Sequence, residues 1–508
     1  MRKINYLVEI EIAGETQRYS DIDISIYSSL HARDLFYKGV IVDPIEWVDE
    51  IDIFGGGVNE PSISLTYISE ISIGKLISEG HSMEYSPARI YLFLEGDTYE
   101  EAQLLLDGFA TEWEWDTEGD PVVCTLIAKP VDPGETVPRS TEKISYETMG
   151  VSEGIPEDFE EKYYPLFFGK GLTATFGPTE DKRLPIIEAP KGKFFPLTIP
   201  PLQTIYIHED HRATGWSLYV DKGWQPYGDI TETDGINDTG DGFVKLLWET
   251  DETPTVGYDG SQDLWLTVAS GGILFEGDYV ETAEQLVRYL VYRSNAAFDI
   301  DKSAAGLKVL SEYKIHTLIE EPVDVIEWLI ECVFKYVPIA MKYGPTGLYL
   351  IPISKDAIPT STIIVDGLLA ERISGVKFGD LENVVNNIKI KGLYAPRGDI
   401  YLRRLYRDAS TNTQCELSQD RFGVRKLELE CPAFQDADTL GLVLNYYTDF
   451  YSQPYKRVAY SLPTSYSHLR AGDVVSITDD EIYISEQTCY VEEVAFRETS
   501  VDITVIYY

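Results

Sequence analysis

The chain is poor in the side chains that do most enzyme and metal chemistry. Its 508 residues include six histidines, five cysteines and four methionines. The cysteines (Cys124, Cys332, Cys415, Cys431 and Cys489) are far apart, odd in number and never paired as CxxC. That spacing argues against a zinc ribbon or a disulfide framework and for scattered core thiols. His208 and His211 stand in HEDH rather than HExxH, and a hydrated turn accounts for them as well as a metal pair does. A GxSxG elbow, a Walker A motif and a GxGxxG after a strand are all missing. Gly169-Lys170-Gly171 lacks the upstream glycine and the Ser/Thr of a P-loop. No catalytic residue, metal site or cofactor is assigned from the sequence.

Positive charge is also scarce. Lys and Arg number 42 against 85 Asp and Glu, a formal net charge of −43. Such a field repels nucleic acid unless basic residues are locally concentrated. The one dense cluster runs from Arg397 to Arg407, with Arg403, Arg404 and Arg407 around Tyr401 and Tyr406. A solvated or subunit-facing strand explains it better than a DNA contact does, and Arg403 and Arg404 are the candidate interface residues. No stretch approaches the ~20 apolar residues needed to span a bilayer. The opening MRKINYLVEIEIAGE alternates with charge and lacks the apolar core of a signal peptide. The chain is therefore expected to stay in the cell that makes it.

What the chain does have is aromatic and β-forming residues: 35 Tyr, 8 Trp and 44% hydrophobic content. KINYLVEIEIAG, QRYSDIDISIYSS, PSISLTYIS and ARIYLFLEG alternate with period two between Gly, Pro and Asp breaks, and predict strands. FATEWEWDTEGDPVVCTLIAKPV reads as a hairpin, and TYEEAQLLL as a helical turn or bulged connection. Two amphipathic helices are expected in VETAEQLVRYLVYRSN and EPVDVIEWLIECVFKY, the second with Pro322 in its first turn. A third follows in DADTLGLVLNYYTDFYS, with Asp436 as its N-cap. A long polar hairpin tip is expected to reach about Gln414. The length suggests roughly three to four domains. The Pro-, Gly- and acid-rich stretch after Asp132 marks a boundary. The divisions are 1–132, 133–370 (with a possible split near 278) and 371–508.

Carboxylates are so abundant that pairs of them say nothing about glycoside hydrolysis. The loop ITETDGINDTGDG holds Glu232, Asp234, Asn237, Asp238 and Asp241, oxygen donors of the type Ca²⁺ prefers, but without EF-hand spacing. A solvated loop is the better account. Trp113 and Trp115, and Trp216, Trp224, Trp248 and Trp265, fit core packing and interfaces better than a sugar platform.

The order of elements is a β block, a mixed insert with helices, and a second β block. It resembles the tail-tip or baseplate hub proteins of tailed bacteriophages, a family related to gene transfer agent hubs and type VI spike hub domains. LENVVNNIKIKGLY, FGVRKLELECPAF, the helix of DADTLGLVLNYYTDFYS and LRAGDVVSITDDE follow in the family's order. In the last, Gly472 and Asp473 reverse the chain into a strand. YSDIDISIYSS, YKGVIVDPIEWVDEIDIFGGG and YEEAQLLLDGF are similar to the attachment-side barrel of such hubs.

The resemblance implies a mainly β, multi-domain fold with a few helices, in which two hub-type β-barrels flank a mixed α/β insert. It implies a homotrimer whose six barrels form a pseudo-sixfold collar, joined to tail tube and distal tail proteins above and to tip or fibre proteins below. DNA passes through the lumen without specific binding. The particle is a virion tail assembled in the host cytoplasm. Many hubs carry a lysozyme or peptidase domain, but no extra length is present here for one, so an enzyme is not expected. A distal tail or receptor-binding tail protein is the alternative, and a cell-wall or polysaccharide-degrading enzyme a remoter one.

Overall fold

A computed structural model describes residues 2–53, 61–69, 71–115, 121–129, 134–140, 264–319, 321–367, 370–395, 400–434 and 437–508; between 140 and 264 it describes Glu142, Tyr163, 166–169 and five further strand segments. The described structure is mainly β, with several sheets and few helices, and multi-domain.

The first β block contains nine strands: β1 (Ile4–Ile12), β2 (Glu15–Ser20), β3 (Ile24–Ser28), β4 (Arg33–Gly39), β5 (Val48–Glu50), β6 (Ser62–Ile68), β7 (Ser86–Leu94), β8 (Gln103–Glu114) and β9 (Pro121–Ala128). All but β5 form one sheet in the order β3-β4-β2-β1-β7-β8-β9-β6. Residues beyond β4 return to β6: Val42 N donates to Thr66 O at 2.9 Å and Ile68 N to Val40 O at 2.9 Å. These bonds close the strands from β4 round to β6 into a barrel, with β3 left outside it on β4. The period-two pattern decides the inside, where Val8, Ile10, Tyr67, Ile90 and Leu126 pack. β1 is buried on both faces, because Leu7 is covered by Ile26, Leu35 and Tyr37 of the β3–β4 hairpin. The helical turn expected near Thr98 is a 3₁₀ turn, Tyr99–Glu101, lying between β7 and β8. A short helix, α1 (Ile73–Ser78), joins β6 to β7.

The middle of the chain contributes β10 (Leu166–Phe168), β11 (Ile187–Ala189), β12 (Leu202–His208), β13 (His211–Val220), β14 (Asp229–Ile236), β15 (Gly242–Glu249), β16 (Leu264–Phe275), β17 (Asp278–Tyr279), β18 (Thr317–Ile319), β19 (Ile339–Gly344) and β20 (Gly347–Pro352). β11-β16-β13 and β12-β15-β14 form separate small sheets, and β19–β20 is a hairpin. Among the described residues three helices lie here: α2 (Ala283–Ser294), α3 (Ala304–Leu310) and α4 (Val325–Cys332). Thr282 caps α2 in a capping box with Gln285 and accepts from Gln285 N at 3.3 Å. The cap of α4 is Asp324, which accepts from Glu327 N at 2.9 Å, so Pro322 precedes the helix instead of opening it. An aspartate satisfies an orphan N–H that a proline ring cannot reach.

The final block holds β21 (Ser361–Ile364), β22 (Glu371–Arg372), β23 (Lys377–Phe378), β24 (Asn387–Ala395), β25 (Ile400–Arg407), β26 (Lys426–Cys431), β27 (Lys456–Pro463), β28 (Val474–Asp479), β29 (Ile484–Phe496) and β30 (Ser500–Tyr507). Its helices are α5 (Thr413–Phe422) and α6 (Ala437–Tyr451). The expected hairpin tip near Gln414 is in fact the start of α5, whose N-cap Asn412 accepts from Cys415 N at 3.0 Å. Asp436, the expected cap of α6, lies outside the described residues.

β21-β28-β29-β30-β27-β22 make a second sheet that curls on itself as a barrel: across its inside Tyr460 Oη of β27 donates to Asp479 Oδ2 of β28 at 3.3 Å, and Arg372 of β22 lies 3.7 Å from the same carboxylate. β21 comes from before the expected boundary at 371. β24 and β26 pack on the insert and α6 bridges the two: Ile388, Ile390, Leu440 and Val443 share a core with Leu286, Leu290 and Leu329, while Tyr446 and Phe450 of α6 pack with Tyr490 of β29 and Ile506 of β30.

The two barrels share a connectivity. In the first, four strands lie in the order β6-β9-β8-β7; in the second, β27-β30-β29-β28. Each has a 3₁₀ turn between its second and third strands, Tyr99–Glu101 and Asp480–Ile482. Each has a long, bulged third strand, with register shifts between Thr111 and Glu114 and between Val491 and Glu493. The barrels lie side by side and share one apolar core. β5 leaves the first and pairs with β29 of the second, Asp49 opposite Val494.

Candidate functional site

Thiol chemistry is suppressed by burial. All five cysteines are free, and four are buried. Burial pushes the Cys124 and Cys489 thiols up to about 12 and Cys332 to about 11, so they stay protonated and unreactive at neutral pH. Among the described residues no group of three or more His, Cys, Asp and Glu could hold a metal. His208 ends β12 and His211 opens β13, strands of different sheets. Asp234, expected in a loop, stands in β14 opposite Val244, while Asn237, Asp238 and Asp241 lie outside the described residues. Trp113 is buried and meets Tyr67 edge-on at 6.5 Å, as a core residue does.

The basic strand is β25, an edge of the three-stranded sheet β25-β24-β26. Alternation sends neighbouring residues to opposite faces. Leu405 packs into the insert core and Arg407 Nη1 donates to Asn445 of α6 at 2.7 Å, so Arg403 shares the α6 side. Arg404 is exposed on the other face with Tyr406. There Lys389 and Lys391 meet Glu428 at 2.9 and 2.6 Å, and Lys391 also meets Glu430 at 2.8 Å. Hydrogen bonds from Lys391 and Lys389 hold the Glu428 carboxyl down near about 2. Arg403 and Arg404 thus do not form one patch, and the cationic face is largely neutralised by its own glutamates.

A cleft of about 660 Å³ opens on the outside of the second barrel, with Glu50, Asp52, Glu492, Glu493, Arg457 and Tyr455 among its lining residues. Arg457 pairs with Glu492 and lies 5.8 Å from the Tyr455 ring. Burial pushes the Glu492 carboxyl up, and its bond to Arg457 opposes that.

A buried charge cluster sits where the barrels and the insert meet, at the turn 470–473. Lys342 of β19, only 7% exposed, donates from Nζ to Asp49 Oδ2 of β5 at 2.7 Å and to Ala471 O at 2.8 Å. Ala471 N donates to the same Asp49 oxygen at 3.0 Å. Arg470 donates to Ser467 O and Leu469 O at 2.8 and 2.7 Å, reaches Gln103 of the first barrel, and lies 5.1 Å from the Phe496 ring. Asp473 Oδ2 accepts from Arg470 N at 2.8 Å. Burial lowers the Lys342 pKa against the opposing pull of Asp49, and raises that of Asp473. The Gly-Asp turn was legible in the sequence. Asp49 and Lys342 were not, because nothing in their local pattern marks a partner so far along the chain. What this arrangement does chemically is fix the positions of three parts.

No family model matches the sequence, and no curated protein matches it. Among solved structures, the chain is similar to the 43 kDa tail protein of prophage MuSo2 from Shewanella oneidensis, at 6% sequence identity and a TM-score of 0.39, over 99% of this chain and 98% of that one.

Proposed function

We propose that the protein is a structural component of a phage-type tail, acting at the distal end as a hub that joins the tail tube to the tip and surrounds the channel for DNA ejection. The supporting observation is the repeated connectivity of its two barrels, β6-β9-β8-β7 and β27-β30-β29-β28, packed about one core. A chain carrying two like barrels is suited to match sixfold symmetry with three copies. On this reading the protein performs no catalysis, its copies form a homotrimer, and its neighbours are tube and tip proteins.

Native mass spectrometry of the full chain, alone and mixed with a phage tail tube protein, tests the reading. A trimer that binds the tube end supports it. A persistent monomer that leaves a clearing zone on cell-wall zymograms overturns it.

A further inference from the structure

The two barrels and the insert each have their own hydrogen-bonded frame, yet all three converge on the turn 470–473. The first barrel sends Gln103 and the strap 43–53, which carries Asp49. The insert sends Lys342 and Ile351, whose Cδ1 would lie 2.4 Å from a Cβ on Gly472. The second barrel supplies the turn itself, tied to β29 by Gly472 N to Val491 O at 2.7 Å and Val491 N to Asp473 O at 2.8 Å. A buried ammonium is tolerated only when paired and hydrogen-bonded, and removing its partner leaves an uncompensated charge. Lys342 has two acceptors, one from the strap and one from the turn. The groups facing the pair are Arg470 and Asp473 on the turn and Tyr349 on β20, so positive and negative charges balance within the cluster.

We infer that the Asp49–Lys342 pair, seated on the turn 470–473, is a lock that sets the position of the first barrel against the second barrel and the insert. Without it the strap loosens from β29 while each barrel keeps its fold. The apolar anchors Ile51 and Ile53 retain the strap near its groove, so the lock governs position and opening rather than folding. The inference does not depend on what the molecule assembles with.

Hydrogen exchange of the full chain tests it in the variants Asp49→Asn and Lys342→Met and in the double variant Asp49→Leu/Lys342→Met, which replaces the pair by apolar groups. In Asp49→Asn, the amides of 48–51 and 470–473 should exchange about tenfold faster than in the wild type, with those of β8 and β30 unchanged. The double variant removes the unpaired charge and should recover protection of 48–51 to within about threefold of wild type, while Ala471, whose N–H loses its Asp49 acceptor, stays faster. Acceleration spread evenly over β8, β30 and the strap would mean general destabilisation and overturn the lock, as would no change at all. Should Lys342→Met fail to fold, Asp49→Asn, which keeps the side-chain shape, gives the same reading.

Discussion

Gly472 holds φ +96, a left-handed conformation, with Ile351 Cδ1 2.4 Å from where a Cβ would stand. Any side chain there is strained twice, by its backbone and by a contact across parts. Gly472→Ala should lower unfolding stability by about 1–3 kcal/mol, read as a lower melting temperature. An equal melting temperature would show that the turn can relax. The need for glycine was legible, since Ala-Gly-Asp before an alternating run marks a reversal. The crowding by Ile351 was not, because a contact between residues so far apart leaves no local trace.

Among the elements, the β3–β4 hairpin lies on the outside of the first barrel. Its tip is held by Glu100, which accepts from Ser28 Oγ at 2.8 Å and from Leu30 N at 3.1 Å. These bonds hold the Glu100 carboxyl down at about 2, against an ordinary value of 4.5. The folded pKa is depressed, so the hold is complete above about 4.5 and is lost as pH falls towards about 2. The protection factor of the Leu30 amide, its exchange rate taken relative to the intrinsic rate at each pH, should fall over that window in the wild type. In Glu100→Gln the protection factor should change little with pH there. A wild-type profile as flat as the variant's would remove Glu100 from the role.

Element assignments followed how strongly each pattern was written. The strands of the barrels and α2, with Leu286, Val287 and Leu290 on one face, carry clear periodicity. α5 leaves no periodic signal, because only Cys415 and Ser418 along it are buried and it has no apolar stripe. Its signals were Asn412 before it and Gly423 after it, a cap and a stop without a hydrophobic middle. The acidic segment at Asp234 has the composition of a loop, yet pairing with β15 makes it a strand. Propensity yields to a partner's edge in such cases.

For the whole molecule, the net charge of −43 calls for an explanation of place. On the proposed reading, carboxylates should line the central opening, where a negative field lets DNA slide without holding it. Electron microscopy of the assembled ring tests this. A neutral or basic lumen would end the conduit account of the charge even if the trimer stands. The β25 cluster fits that account poorly as a DNA contact, because Lys389 and Lys391 are paired with Glu428 and Glu430.

By itself the sequence determined class and composition: a β-rich chain with helices in the middle, thiols destined for the core, and an acidic surface. These follow from alternation, caps and charge counts, which are local or additive properties. Tertiary structure alone decided that the two terminal β blocks share one connectivity and one core. It also sent β21 and β5 to the second barrel, left β24 and β26 to the insert, and set α6 between the two. Strand order depends on which edges meet, and many sequences satisfy the same order. The Asp49–Lys342 pair belongs with these features, since a buried ion pair between distant residues exists only once the chain has closed around it.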